Sequence, residues 1–118
     1  MKYLKITNKT NQKILGHNIG NANNTLSRLV GLIGKKKLND GEGLLLTPCN
    51  SIHMMFMKIS LDVIFLDRKN KVIHLIKNIQ PWKVSKIIFK AQSVLELPVG
   101  TISRAELKID DFLEIEKK

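Results

Sequence analysis

Apolar and polar residues alternate along most of this chain at the period of a half-buried strand. Residues 3–7 (YLKIT) and 12–19 (QKILGHNI) read as two short strands joined by the polar turn NKTN. Residues 44–48 (LLLTP) read as a strand stopped by Pro48. Residues 61–67 (LDVIFLD) are apolar on both faces, which marks a central strand covered on both sides. Residues 67–71 (DRKNK) then form a hairpin loop in which Asn70 best tolerates a positive φ, and residues 71–79 return as its partner strand. Residues 93–98 and 111–117 complete the set, joined by residues 98–107 with room for a helical turn. Residues 52–57 (IHMMFM) are also expected as a strand, with Ile52, Met54 and Phe56 on one face and His53, Met55 and Met57 on the other.

One segment changes period. In residues 25–38, Leu26, Leu29, Val30 and Ile33 recur at spacings of three and four and make an apolar helical stripe. Asn24 or Thr25 caps its start, and Gly34 with the following lysines suits its end. Gly31 inside it costs about 1 kcal/mol relative to alanine but permits close approach to a sheet. The longest helix is therefore expected within residues 24–36. Strands at short intervals around one helix predict a mainly β barrel or sandwich with that helix packed against it. The connections are too short for a run of βαβ crossovers.

At 118 residues the chain is a single domain, residues 1–118, with one core. Aromatic residues are few, so aliphatic side chains must fill that core. The formal charge of +10 raises nucleic acid as a partner. The charge is nearly all lysine, scattered apart from Lys35-Lys36-Lys37, with only Arg28, Arg68 and Arg104 as arginines. Base readout favours arginine, so no specific nucleic-acid partner is expected, and any such binding is weak and salt-sensitive. The lone Cys49 excludes an internal disulfide and suits a reducing compartment. No leader-like run opens the sequence and no membrane-length apolar run occurs, so the expectation is a soluble, cytoplasmic protein without a membrane segment.

Several ordered segments carry a family resemblance. These are SRLVGL at 27–32, GEGLLL at 41–46, CNSIHMMFMKISLDVIFLD at 49–67, QPWK at 80–83 and VLELPVGT at 94–101. Together they resemble domain of unknown function family 192, a group of small prokaryotic proteins, over roughly residues 25–115. Lys58 and Lys83 stand where that family commonly has arginine, and Asn70 where its hairpin usually has glycine. The resemblance implies a mainly β, jelly-roll-like fold and carries no established activity.

The candidate chemistry centres on residues 48–67. Cys49 and His53, four apart, are one possible nucleophile and base, with Asp62 or Glu96 orienting the imidazole. A cysteine and histidine without an anion hole carry little weight, and the blander reading is a small buried thiol and a core histidine. Metal binding lacks a second spaced ligand pair, so no metal or cofactor is expected. Asp62 and Glu96 as paired carboxylates for glycoside chemistry need a fixed separation that spacing does not supply. Asp62 instead suits locking a turn at the start of its strand, and Glu96 pairing with Lys58 across the sheet. Trp82 serves either as a plug at one end of the barrel or as a stacking surface at a pocket mouth. The reading preferred on these grounds is a domain that binds a small polar or anionic ligand in a pocket lined by His53, Lys58, Asp62, Trp82 and Glu96. Lys58, Asp62 and Glu96 are expected as one coupled cluster, since an unpaired buried charge is costly. The alternatives are a hydrolase or transferase using Cys49 or the acids with His53, and a non-specific nucleic-acid binder acting through surface lysines.

Overall fold

In the computed structural model residues 2–118 are described, except for the side chains of residues 25, 26 and 29. The strands are β1 (Tyr3–Asn8), β2 (Lys13–Ala22), β3 (Glu42–Leu46), β4 (Leu61–Leu66), β5 (Val72–Ile79), β6 (Ser93–Leu97) and β7 (Leu113–Lys117), with helices α1 (Thr25–Val30) and α2 (Thr101–Arg104). One curled seven-stranded sheet runs β5-β4-β6-β3-β2-β1-β7. All pairings are antiparallel except β2–β3, which α1 connects. The two edge strands meet at one end. There Val72 N–H donates to the Asp111 carbonyl at 2.8 Å and Leu113 N–H to the Asn70 carbonyl at 2.9 Å, so the sheet curls almost into a barrel.

Strand alternation divides the apolar residues between two cores. Leu45, Ile64, Leu66, Leu95 and Leu97 point inward, where they pack with Leu4, Ile6, Leu15 and Ile19 and with Ile102 and Ala105 of α2. Leu44, Leu46, Leu61, Val63, Phe65 and Val94 point outward, where Leu32, Ile52, Met54 and Met57 cover them. All six residues of β4 are buried, as a strand apolar on both faces should be. Asn70 takes φ 63° in the β4–β5 hairpin, where Asp67 Oδ1 accepts from Lys69 N–H and Lys71 N–H.

Two expected elements come out differently. Asn24 caps α1, accepting from Ser27 N–H at 2.9 Å, and α1 is the longer helix and lies within residues 24–36 as expected, but it stops at Val30, short of Gly34. Gly31 ends it, at φ 51°, with its N–H bonded to the Ser27 carbonyl. The permissive residue acts as the stop, not Gly34. Val30 and Ile33 are 53% and 40% exposed, and Leu32 packs inward in place of the expected stripe. The Leu26 and Leu29 side chains lie outside the described residues. Residues 52–57 do not form a strand either. Only His53 makes a bridge, to Val84, and a turn at Met55 and Phe56 reverses the alternation. Met57 is buried and Phe56 exposed as a result.

Candidate functional site

The outer core is incompletely filled. Between α1, the end of β3, residues 48–57 and β6 lies a cavity of about 210 Å³. Its apolar wall includes Leu32, Leu46, Ile52 and Met57, and its polar lining is Arg28, Cys49, Ser51, His53 and Glu96. Glu96 is placed by pure strand geometry. It pairs with Leu44 of β3 and Val63 of β4, and it shares the outward face with Val94. Gly43 sharpens this placement, because a Cβ there would lie 2.6 Å from the Glu96 carbonyl oxygen. A residue without a side chain therefore lets β3 close onto β6 beside the acid.

The Glu96 side chain is 7% exposed and makes no hydrogen bond or ion pair with a described residue. Burial alone raises its pKa from the ordinary 4.5 to about 7. It stands apart from the other buried polar residues. Asn8 donates to Asp111, which also accepts from Lys108 N–H. Ser93 Oγ lies 2.8 Å from Thr47 Oγ1, and Thr101 Oγ1 donates to the Pro98 carbonyl at 2.8 Å. Asp62 accepts from three backbone N–H groups, those of Asn78, Gly100 and Ile102, at 2.9, 3.1 and 3.0 Å.

Cys49 Sγ donates to the Ser51 carbonyl at 3.1 Å, and burial pushes its pKa up. Arg28 lowers it by less than burial raises it, and the Glu96 charge raises it further. A thiol held protonated is a poor nucleophile. Arg28 donates from Nη1 to the Thr47 carbonyl at 3.2 Å, which fixes its guanidinium at the cavity wall.

The structure divides the five residues expected to share a pocket. His53 and Glu96 line the cavity; Lys58, Asp62 and Trp82 do not. Asp62 and Glu96 lie on adjacent strands but point to opposite faces, because Asp62 pairs with Leu97 and Glu96 with Val63. Asp62 binds the backbone of Asn78 and of the start of α2 at one end of the inner core, rather than locking a turn at the start of its own strand. Lys58 is exposed, and among the described residues the ion pairs are Lys13–Glu106 and Lys71–Asp110, so the expected Lys58–Glu96 pair is not formed. Trp82 is at the surface against Phe56 rather than plugging the barrel. Arg28 and Ser51 join the lining without having been expected. In the sequence Arg28 stands out only as part of the SRLVGL segment and as one of three arginines, neither of which points to a cavity. No group of three or more His, Cys, Asp or Glu suited to a metal ion occurs among the described residues, and no helix among them is long and apolar enough to cross a membrane.

The DUF192 family model, described as Uncharacterized ACR, matches residues 6–115. A UPF0127 protein of Thermococcus sibiricus is 34% identical over 115 residues, which cover 94% of this chain and 74% of that protein. A UPF0127 protein of Thermococcus kodakarensis is 33% identical over 112 residues, covering 92% and 71%. Two crystal structures share the fold. One, a protein of unknown function from Novosphingobium aromaticivorans, has TM-score 0.81 and 22% identity over 95% of this chain and 83% of that one. The other, from Sinorhizobium meliloti and described as a proposed transcription regulator, has TM-score 0.81 and 19% identity over 98% and 96%.

Proposed function

Because the chain belongs to the DUF192 family of uncharacterised small domains, we propose its function from the site itself: it binds a small molecule in the Glu96 cavity. The observation that carries this is the Glu96 carboxyl, 7% exposed, lining the cavity and without a described partner, in a fold whose described residues leave no fully enclosed side-chain nitrogen or oxygen unpaired. Holding a carboxyl this far from water costs stability once it ionises. An apolar residue would fill the position without that cost, so the acid has a use outside folding. The ligand supplies a hydrogen-bond donor to Glu96, either a hydroxyl, an amide or a protonated amine. Its body is largely apolar, to suit Leu32, Leu46, Ile52 and Met57. A cavity of about 210 Å³ restricts it to a small molecule or to one end of a larger one. Arg28 and His53 serve a second polar group of the ligand. An anionic group aimed at Glu96 itself would meet like charge, so the anionic ligand expected from Lys58 is not carried forward to this cavity.

The test is a ligand-observed NMR screen of small alcohols, amides and amines, followed by amide-shift mapping. Hits are expected to move the resonances of Leu32, Cys49, Ile52 and Met57 and to be lost in Glu96→Leu. Hits that map elsewhere, or that bind Glu96→Leu as well, refute the reading.

A further inference from the structure

Residues 50–61 and 80–92 form the outer layer over the sheet. They run side by side: Ser85 N–H donates to the Ile52 carbonyl at 2.9 Å, Ile88 N–H to the Asn50 carbonyl at 2.8 Å, and His53 bridges Val84. Their inward residues complete the outer core. Their outward residues include Met55, Phe56, Trp82, Val84, Ile87 and Phe89, between 43% and 85% exposed. So many large apolar side chains on two adjoining segments is more than the scatter of single exposed residues on an ordinary surface. None of the six lines the Glu96 cavity, so the strip is a separate surface from that site.

Two further features mark the strip. Phe56 and Trp82 hold φ 64° and 70°, a conformation uncommon for non-glycine residues and an outlier for bulky ones. Trp82 N–H to the Met54 carbonyl and Met54 N–H to the Lys83 carbonyl, both 2.7 Å, fix it. The effect is to hold the two rings together at the surface, centroids 5.0 Å apart and tilted by 60°. The turn at Phe56 returns Met57 to the core, and at both positions the backbone also sets a large ring at the surface; strained residues of this kind cluster at binding sites. The second feature is charge. Residues 50–61 and 80–92 contain Lys58, Lys83, Lys86 and Lys90 and no acid. All four lysines are exposed, and none is in the ion pairs described above.

We propose that this strip docks onto the surface of an anionic lipid bilayer, its apolar side chains entering the interface and its lysines meeting the headgroup phosphates. The charge complementarity selects an anionic partner. The apolar set selects lipid over single-stranded nucleic acid. Val84, Ile87 and Met55 offer no ring for a base to stack on, and Phe56 occupies part of the Trp82 surface. A second copy of the chain on the same face would bring two sets of four lysines together.

Trp82 is the only tryptophan and reports directly. The protein is titrated with phosphatidylcholine vesicles, with and without phosphatidylserine, while its emission and co-sedimentation are followed. Binding and a blue shift are expected with phosphatidylserine only, weakening as salt rises. Lys83→Gln, Lys86→Gln and Lys90→Gln should each weaken binding roughly fivefold, and the three together roughly a hundredfold. Ile87→Ser with Phe89→Ser, both at exposed positions, should weaken it by tenfold or more. Neutralising Lys35, Lys36 and Lys37, which lie outside the strip, should have a much smaller effect. Absence of binding to anionic vesicles at low salt overturns the proposal. So does binding that leaves Trp82 emission unmoved and ignores the strip variants. A single-stranded oligonucleotide that quenches Trp82 and binds more tightly than the vesicles would also overturn it, assigning the strip to nucleic acid.

Discussion

Glu96→Gln separates a hydrated surface acid from one buried in a cavity. Glu96 titrates at about 7 in the fold against an ordinary 4.5. Between those values the unfolded chain has released its proton while the folded one retains it, so stability falls as pH rises through this window. The contribution is fully present below about 4.5 and lost above about 7. A difference of that size corresponds to about 3 kcal/mol, or roughly 10 °C in Tm for a domain of this length. Glutamine has nearly the same shape and does not ionise. Its amide is also poorly satisfied in the cavity, which sets a constant offset between the two proteins, so the informative quantity is how their difference changes with pH. Urea unfolding of both proteins from pH 4 to 8.5 should show the wild type losing about 3 kcal/mol relative to Glu96→Gln across the window, with equal m-values. Curves that stay parallel over the whole range would mean that the carboxyl is hydrated, and the cavity argument would fail with it. A ligand that donates to the ionised carboxyl should reduce the same pH dependence, which ties the stability measurement to the proposed function.

Asp62→Ala removes the acceptor for three backbone N–H groups and should cost roughly 3–5 kcal/mol in urea unfolding; a loss below about 1 kcal/mol would show that water replaces it. The Cys49 thiol, raised by burial, should react with a thiol reagent at pH 7 many-fold more slowly than in the unfolded chain, and stoichiometric labelling within seconds would contradict its protonated state. Asn24→Ala removes the α1 cap and should cost about 1 kcal/mol, with Asn24→Ser close to wild type; equal losses would place the effect elsewhere. Gly43→Ala drives a methyl to 2.6 Å from the Glu96 carbonyl and should lower Tm by several degrees while shifting the amide resonances of β3 and β6; an unchanged spectrum would mean the two strands part without effort.

Local signals made β4 and its hairpin legible. An apolar run on both faces and a loop asparagine able to take positive φ are properties of a few adjacent residues, and the fold uses both. The two misread segments failed for a common reason. In residues 25–38 the helical stripe competed with Gly31, and the glycine, free to take positive φ, ended the helix. In residues 52–57 the alternation competed with packing, and a turn at Phe56 returned Met57 to the core. The proposed cluster of Lys58, Asp62 and Glu96 depended on register, which no short stretch specifies. A shift of one residue in pairing moves a side chain to the opposite face, and the observed pairing of Asp62 with Leu97 puts the two acids on different sides of the sheet. That Glu96 faces away from Leu95 and Leu97 is readable from alternation. That its face is the outer one, roofed by α1 and residues 48–57, is a consequence of topology.

The two cores differ in how they are built. The inner core is closed by strands and by α2, and Asp62, which reaches it from β4, is fully engaged with backbone donors. Such a core gains most from complete packing, and substitution within it acts on stability. The outer core is half sheet and half loop. Residues 48–57 bring Cys49 and His53 to the Glu96 cavity, while the turn at Met55 and Phe56 holds exposed side chains against Trp82 on the other side. One loop layer thus separates a buried acid from a basic, apolar surface. An occupant of the cavity contacts Ile52, His53 and Met57, and the strip begins two residues from His53. If binding at either side alters the free energy of ordering the same segment, linkage requires the two effects to be equal. A ligand found for the cavity should therefore change the affinity of the strip for its partner, and the partner should change the affinity for the ligand by the same factor. Titrating vesicles with and without the ligand, and the ligand with and without vesicles, measures both arms. Unequal factors would mean that the two titrations do not report the same equilibrium, and a factor of one in both would mean that the segment is equally ordered in all states.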